Sequence, residues 1–251
     1  MRLREFMSSG RRLIVYVTLG DDLVKPQLIQ RFMHSGCDVL ELGLPTPLAK
    51  YDGPTIRRSI ARALRTCDGR VRELLDMVRQ FDAEQKVLFT YFEFAANMGL
   101  REVYSRAAEH VESVLFPDLL IDYPERVDEY VAMSREYGLE LTFFVPTTVP
   151  HRLVTRIASL DPAFVYLGLM ISTGVHLPVT AERNIGVIKR LLGQVPLVVG
   201  FAVRTPEQVR RYVAAGADGV VVGSAILKML EEGEAERSVE LVRSLKEAME
   251  S

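Results

Sequence analysis

Eight short apolar runs, each followed by a segment with helical periodicity, recur about every thirty residues along this chain. No other feature restricts the fold as strongly. The runs lie at 13–18, 39–45, 87–91, 114–116, 141–145, 164–167, 196–200 and 219–223. Most show little polar alternation, as expected of strands covered on both faces. The intervening segments space their apolar residues at helical intervals. Leu28, Ile29, Phe32 and Met33 make one such face; Ile56, Ile60 and Leu64 make another; Val239, Val242, Leu245 and Met249 mark the last. Thr205-Pro206-Glu207-Gln208 has the composition of a capped helix start.

Regular strand–helix alternation over 251 residues predicts one α/β domain, residues 1–251, folded as a (β/α)8 TIM barrel with right-handed crossovers. Residues 3–9 read as a short helix capping the first strand. Extra helices are expected from Val71 to Phe81 and from Ser224, whereas 92–99 and 118–124 read as loops. The segment from Ser35 to Gly43 echoes that from Ala215 to Gly223, each a helix end, turn, strand and glycine exit, as stacked units produce. A doubly wound sheet is the rival, but Leu19-Gly20-Asp21-Asp22 after the first strand is no dinucleotide fingerprint.

Composition narrows the class. With 48% hydrophobic residues the chain can bury a large core, and a net charge of -2 with mixed signs argues against a nucleic-acid partner. Cys37 and Cys67 do not make a disulfide framework. The apolar runs are strand-sized, too short for a membrane span, and the start lacks a signal peptide's apolar run. A cytoplasmic protein is expected.

Chemistry is concentrated in two carboxylates. Glu41 lies inside an apolar strand near its C-terminal end, where a carboxylate costs desolvation unless it has a partner or a task. It is either an ion-paired structural residue or a general acid/base with a raised pKa. Asp52, in Asp52-Gly53-Pro54, is either a helix cap or a second acid at the same mouth. Gly200-Phe201-Ala202 and Gly223-Ser224-Ala225 follow the last two strands, where backbone amides can grip a phosphate; Thr173 and Gly174 in the sixth loop can add to it. The alternative is that these glycines only make turns. Tyr16, Phe89, Tyr91, Phe144 and Tyr166 are core aromatics, of which those near the mouth can hold an apolar ligand. His34, His110 and His151 fit surface or capping roles, and His176 lies in the sixth loop. No zinc spacing and no Walker sequence is present.

These blocks together resemble the tryptophan synthase alpha subunit family from about residue 3 to 249. The similarity is carried by Tyr16-Val17-Thr18-Leu19-Gly20-Asp21, Leu40-Glu41-Leu42-Gly43-Leu44-Pro45, Asp52-Gly53-Pro54-Thr55-Ile56, Gly200-Phe201 to Gln208, and Gly216-Ala217-Asp218-Gly219 through Ile226. The resemblance implies retro-aldol cleavage of indole-3-glycerol phosphate to indole and glyceraldehyde 3-phosphate. It gives Glu41 the acid/base role and Asp52 the indole N–H. It puts Tyr16, Phe89 and Tyr166 near the indole or glycerol part, and Gly200, Gly223 and Ser224 at the phosphate. It implies no cofactor in this chain and a pyridoxal-phosphate beta subunit as partner, in an alpha2beta2 assembly. The chain departs from the family pattern at Thr46-Pro47-Leu48-Ala49-Lys50-Tyr51, at Tyr91-Phe92-Glu93, in the sixth loop 171–178 and at Ala202. Two other functions stay open on the residues: a phosphate-binding barrel such as a glycerol-phosphate prenyltransferase, and a subunit that regulates a partner while catalysing little.

Overall fold

The computed structural model describes residues 1–68, 70–168, 181–200 and 203–251. Its strands are β1 (Arg12–Thr18), β2 (Val39–Gly43), β3 (Lys86–Phe89), β4 (Ser113–Leu115), β5 (Thr142–Pro146), β6 (Phe164–Gly168), β7 (Leu197–Gly200) and β8 (Gly219–Val222). They form one sheet in the order β4-β3-β2-β1-β8-β7-β6-β5. β1 pairs in parallel with both β2 and β8, so the first strand lies beside the last and the doubly wound alternative is excluded. Nearly every strand residue is buried, which accounts for the lack of alternation in the sequence.

The ring closes at the β4/β5 seam, where the strand ladder thins to a parallel bridge between Ser113 and Glu140. There the Glu140 N–H donates to the Glu112 carbonyl at 2.8 Å, and the Ser113 and Thr142 hydroxyls pair at 2.7 Å. Tyr130, on the helix Val127–Glu136, reaches the same seam. Its hydroxyl accepts from the Thr142 N–H at 2.9 Å and lies 2.8 Å from the Thr142 carbonyl and 3.1 Å from that of Val114. A side chain thus satisfies backbone groups that a strand partner would otherwise serve.

The N-terminal helix, Leu3–Ser8, buries Leu3 and Met7. The Arg4 N–H donates to Glu140, and Gln85 donates to the Met1 carbonyl, so this helix covers the N-terminal end of the barrel as the sequence suggested. Two segments expected as loops are helical. Residues 92–99 contain the helix Phe92–Met98, whose first amides, from Phe92 and Glu93, donate to the Asp118 carboxylate at 2.7 and 3.2 Å. The cap comes from another loop, so no local signal announces it. Residues 118–124 contain the turn Leu119–Asp122 and the start of a 3-10 turn, Pro124–Arg126. The extra helix predicted to reach Phe81 stops at Met77 and tightens into a 3-10 turn, Val78–Gln80. Among the described residues no helix is long and apolar enough to cross a membrane.

Tyr130→Phe is expected to destabilise the chain by about 1–3 kcal/mol, because it leaves the buried Thr142 N–H without its acceptor. Urea unfolding of the two proteins measures this.

Candidate active site

A cavity of about 470 Å³ opens at the C-terminal ends of the strands. Glu41 and Asp52 both line it, with Tyr16, Phe89 and Tyr166 beside them. β2 delivers Glu41 in register with Tyr16 on β1 and Val87 on β3. Its side chain is only 2% exposed, and Oε1 has no hydrogen-bond partner among the described residues. Burial, and then the Asp52 charge, push the Glu41 carboxyl up to about 8. Among the described residues no cation pairs with Glu41, so the ion-paired structural reading finds no support there.

Asp52 follows on the loop between β2 and the helix Pro54–Thr66. That helix begins at Gly53 without a side-chain cap, so Asp52 is not the cap that Asp-Gly-Pro suggests. Instead the Tyr91 hydroxyl donates to Asp52 Oδ2 at 2.9 Å. Burial raises this carboxyl to about 6, against the opposing pull of the Tyr91 hydrogen bond and the Arg57 charge. Near neutral pH the two acids therefore differ, Glu41 holding its proton and Asp52 largely ionised.

Three glycines admit the aromatic floor. A Cβ on Gly43 would fall 2.1 Å from the Tyr16 hydroxyl, and one on Gly200 would fall 2.0 Å from that of Tyr166. A Cβ on Gly223 would meet the Tyr16 Cβ at 2.9 Å. The absent side chains leave room for two tyrosines to lie inside the barrel. Tyr16 packs edge-on to Phe89 at 5.7 Å and Tyr166 to Phe144 at 5.3 Å. Burial holds both phenols well above their ordinary range, so they stay neutral.

The other side of the cavity is polar. Gly223 and Ser224 line it at the start of the helix Ser224–Glu231, which has no side-chain cap, leaving first-turn amides for an anion. Arg204 lines the same cavity. A charge network fixes this helix against the one after Asp52. Asp21, buried beyond β1, receives Arg62 through two bonds of 2.8 and 2.6 Å, together with the Ser59 hydroxyl. Arg62 also bonds Glu231 at 2.6 Å, and Arg58 bonds Glu231 at 2.7 Å. Asp21 is held below the usual carboxylate range by its Arg62 and Ser59 bonds despite burial.

Of the residues singled out from sequence, Glu41, Asp52, Tyr16, Phe89, Tyr166, Gly223 and Ser224 come together around one cavity. Gly200 stands behind Tyr166. Thr173, Gly174 and Phe201, with His176 and Ala202, lie outside the described residues. His34, His110 and His151 do not line the cavity. Sequence reasoning missed Tyr91 as the partner of Asp52 and Asp21 as an anchor. Tyr91 had a signal in its place just past β3, and Asp21 in its place just past β1. Among the described residues no three His, Cys, Asp or Glu side chains are grouped to hold a metal ion.

A parallel eight-stranded barrel with two unequal carboxyls at its mouth and an open helix start beside them defines a TIM-barrel protein built for acid–base chemistry. The chain belongs to the tryptophan synthase alpha chain family, whose model matches residues 4–251. It is 30% identical over 242 residues to the tryptophan synthase alpha chain of Saccharolobus solfataricus, covering 96% of this chain and 97% of that one. With the alpha chain of Geobacter sulfurreducens it shares 36% identity over 233 residues, covering 89% and 86%. Among solved structures, tryptophan synthase from M. tuberculosis in its aminoacrylate-bound form superposes with a TM-score of 0.83 at 27% identity, covering 99% of each chain. A mutant alpha subunit from Pyrococcus furiosus gives 0.80 at 30% identity, over 94% of this chain and 98% of that one.

The state of Glu41 has a consequence for stability. An unfolded glutamate loses its proton near 4.5 and the folded one keeps it to about 8, so the folded state binds the extra proton between those values. Stability then falls as pH rises through that window. Glu41→Gln, which cannot ionise, is expected to gain on the wild type progressively from 4.5 to about 8 and then hold its advantage, as read by urea midpoints across pH.

Proposed function

We propose that this chain cleaves indole-3-glycerol phosphate to indole and glyceraldehyde 3-phosphate by a retro-aldol reaction, with residues 1–251 acting as one barrel domain. The observation that carries the reading is the unequal pair: a buried carboxyl with a raised pKa and an oxygen that has no partner among the described residues, beside a carboxylate held by Tyr91.

The neutral Glu41 carboxyl gives its proton to the indole carbon that bears the glycerol chain. The ring becomes a cation with its charge spread to the nitrogen, and Asp52 accepts a hydrogen bond from that N–H. The charged ring is an electron sink. As the carbon–carbon bond breaks, its electrons return to the ring, and the Glu41 carboxylate takes the proton of the adjacent glycerol hydroxyl. Indole and an aldehyde leave, and Glu41 is again protonated. Each group acts where charge changes, in a site where burial keeps the Glu41 carboxyl largely out of solvent. Tyr16, Phe89 and Tyr166 provide an aromatic wall suited to indole. The phosphate is assigned to the Gly223–Ser224 helix start, with Gly200, Phe201, Thr173 and Gly174 as further proposed contacts.

No cofactor enters this half-reaction. The proposed partner is a beta subunit carrying pyridoxal phosphate, in an alpha2beta2 assembly in the cytoplasm. A chain that only regulated a partner would have no use for a buried carboxyl that no cation pairs among the described residues. A prenyltransferase reading accounts for the helix start but leaves the acid pair idle.

Indole release from indole-3-glycerol phosphate, assayed with and without a beta subunit, tests this. Glu41→Gln is expected to lose activity by about 10²–10⁴-fold with its fold intact. Undiminished release by this variant sinks the mechanism. The rate should rise as Asp52 ionises near about 6 and fall as Glu41 ionises near about 8, a bell between those two values.

A further inference from the structure

The segment Thr46-Pro47-Leu48-Ala49-Lys50-Tyr51, where the chain departs from the family pattern, carries the loop that presents Asp52. Lys50 and Tyr51 grip neighbouring elements on two sides. The Lys50 ammonium lies 2.6 Å from Asp122 Oδ2, on the turn after β4, and 3.2 Å from Glu93 Oε2, on the helix after β3. The Tyr51 hydroxyl donates to Asp122 Oδ1 at 2.7 Å. Asp122 thus accepts from both residues at once.

The same pair bears directly on the candidate acid. The Tyr51 N–H donates to the Tyr91 hydroxyl at 2.9 Å, and that hydroxyl donates to Asp52 Oδ2 at 2.9 Å. The Tyr51 and Tyr91 rings stack at 6.2 Å, 16° from parallel. From the far side, Arg57 donates to the Ala49 and Lys50 carbonyls at 3.0 Å each. The loops after β2, β3 and β4 are therefore joined through two adjacent side chains.

We propose that Lys50 and Tyr51 are positioning residues, a clasp that keeps the Tyr91 hydroxyl on Asp52 and so fixes the orientation and ionisation of that carboxylate. This rests on the reading that Asp52 meets the substrate. A purely structural role fits poorly, because the Lys50 ion pairs are about a third exposed, 37% for Lys50 and Glu93 and 27% for Asp122. Pairs that open to water add little to global stability. Holding a charged group within an ångström of its working position matters far more to a rate. The titratable and charged groups facing Asp52 are Glu41 on β2, Tyr16 on β1, Tyr166 on β6, Tyr91 beyond β3 and Arg57 on the following helix. Of these, the clasp residues touch Tyr91 through the Tyr51 N–H and Arg57 through the Lys50 carbonyl, and Tyr91 is the one hydrogen-bonded to Asp52. Its hydrogen bond favours the ionised form of Asp52, so releasing it raises the carboxyl.

Indole release across pH is to be measured for wild type, Lys50→Met and Lys50→Arg, with Glu41→Gln as the blank. Lys50→Met is expected to lose about tenfold in kcat with KM within about threefold and thermal unfolding nearly unchanged. Its acid limb moves to higher pH, and Lys50→Arg restores most of the rate and the limb. An unchanged kcat and acid limb in Lys50→Met overturns the proposal. Should the wild type release no indole, the proposed reaction fails, and the clasp is then read directly by carbon-13 NMR titration of Asp52. An upward shift in Lys50→Met, reversed in Lys50→Arg, supports it, and coincident curves overturn it. Should Lys50→Met fail to fold, Tyr51→Phe and Asp122→Asn carry the same readouts: a shifted limb or titration supports the clasp, and an unchanged one overturns it.

Discussion

The site depends on a steric allowance: Gly43 and Gly200 lack the side chains that would occupy the places of the Tyr16 and Tyr166 hydroxyls. Because those places are open, two large aromatic side chains lie inside the barrel mouth instead of outside it. With Phe89 they line the cavity beside Glu41 with ring surface, and Phe144 packs against Tyr166. A carboxyl surrounded in this way loses hydration without gaining a cation, and its proton is held to higher pH. Backbone geometry at two strand ends thus leads, through packing, to the protonation state of a residue buried between them.

Charge is handled differently on the two sides of the cavity. Beyond β1, Asp21 is buried but fully paired, and Arg62 and Glu231 extend its influence to the helix that starts at Ser224. That arrangement ties the last turn of this helix to the helix that follows Asp52. At the mouth, Glu41 has no cation beside it among the described residues, and Asp52 is given a phenol and a more distant guanidinium. Burial is tolerable for Asp21 through bidentate pairing, for Asp52 through the Tyr91 hydrogen bond, and for Glu41 through retention of its proton. The contrast separates an acid tied into the scaffold from the acids that the proposed reaction uses.

Much of this could be read from residue order. The strand rhythm announced the barrel because parallel strands buried on both faces must be apolar throughout. Glu41 stood out for the same reason, as a charge within such a run. The helical segment at 92–98 was missed because its support is not local, and that at 119–122 because four residues are too few to show a helical period. The first is capped by Asp118, twenty-six positions from Phe92. Asp52 was ambiguous, since Asp-Gly-Pro satisfies the rules for a cap as well as those for a site. Distance to Tyr91 resolved it. The glycines at the strand ends were visible, but their service to Tyr16 and Tyr166 depends on which way ring and backbone face across the barrel.

The order of residues alone determined the alternation of elements, the apolar core and the presence of two acids at adjacent strand and loop positions. Periodicity and burial cost are properties of a short window, so they survive without coordinates. Tertiary structure decided what those acids are. The loss of water around Glu41, the phenol that Asp52 receives, and the clasp of Lys50 and Tyr51 on Asp122 each join residues far apart in the chain. Protonation and orientation depend on such neighbours, and which residues become neighbours is set only when the strands close into a ring.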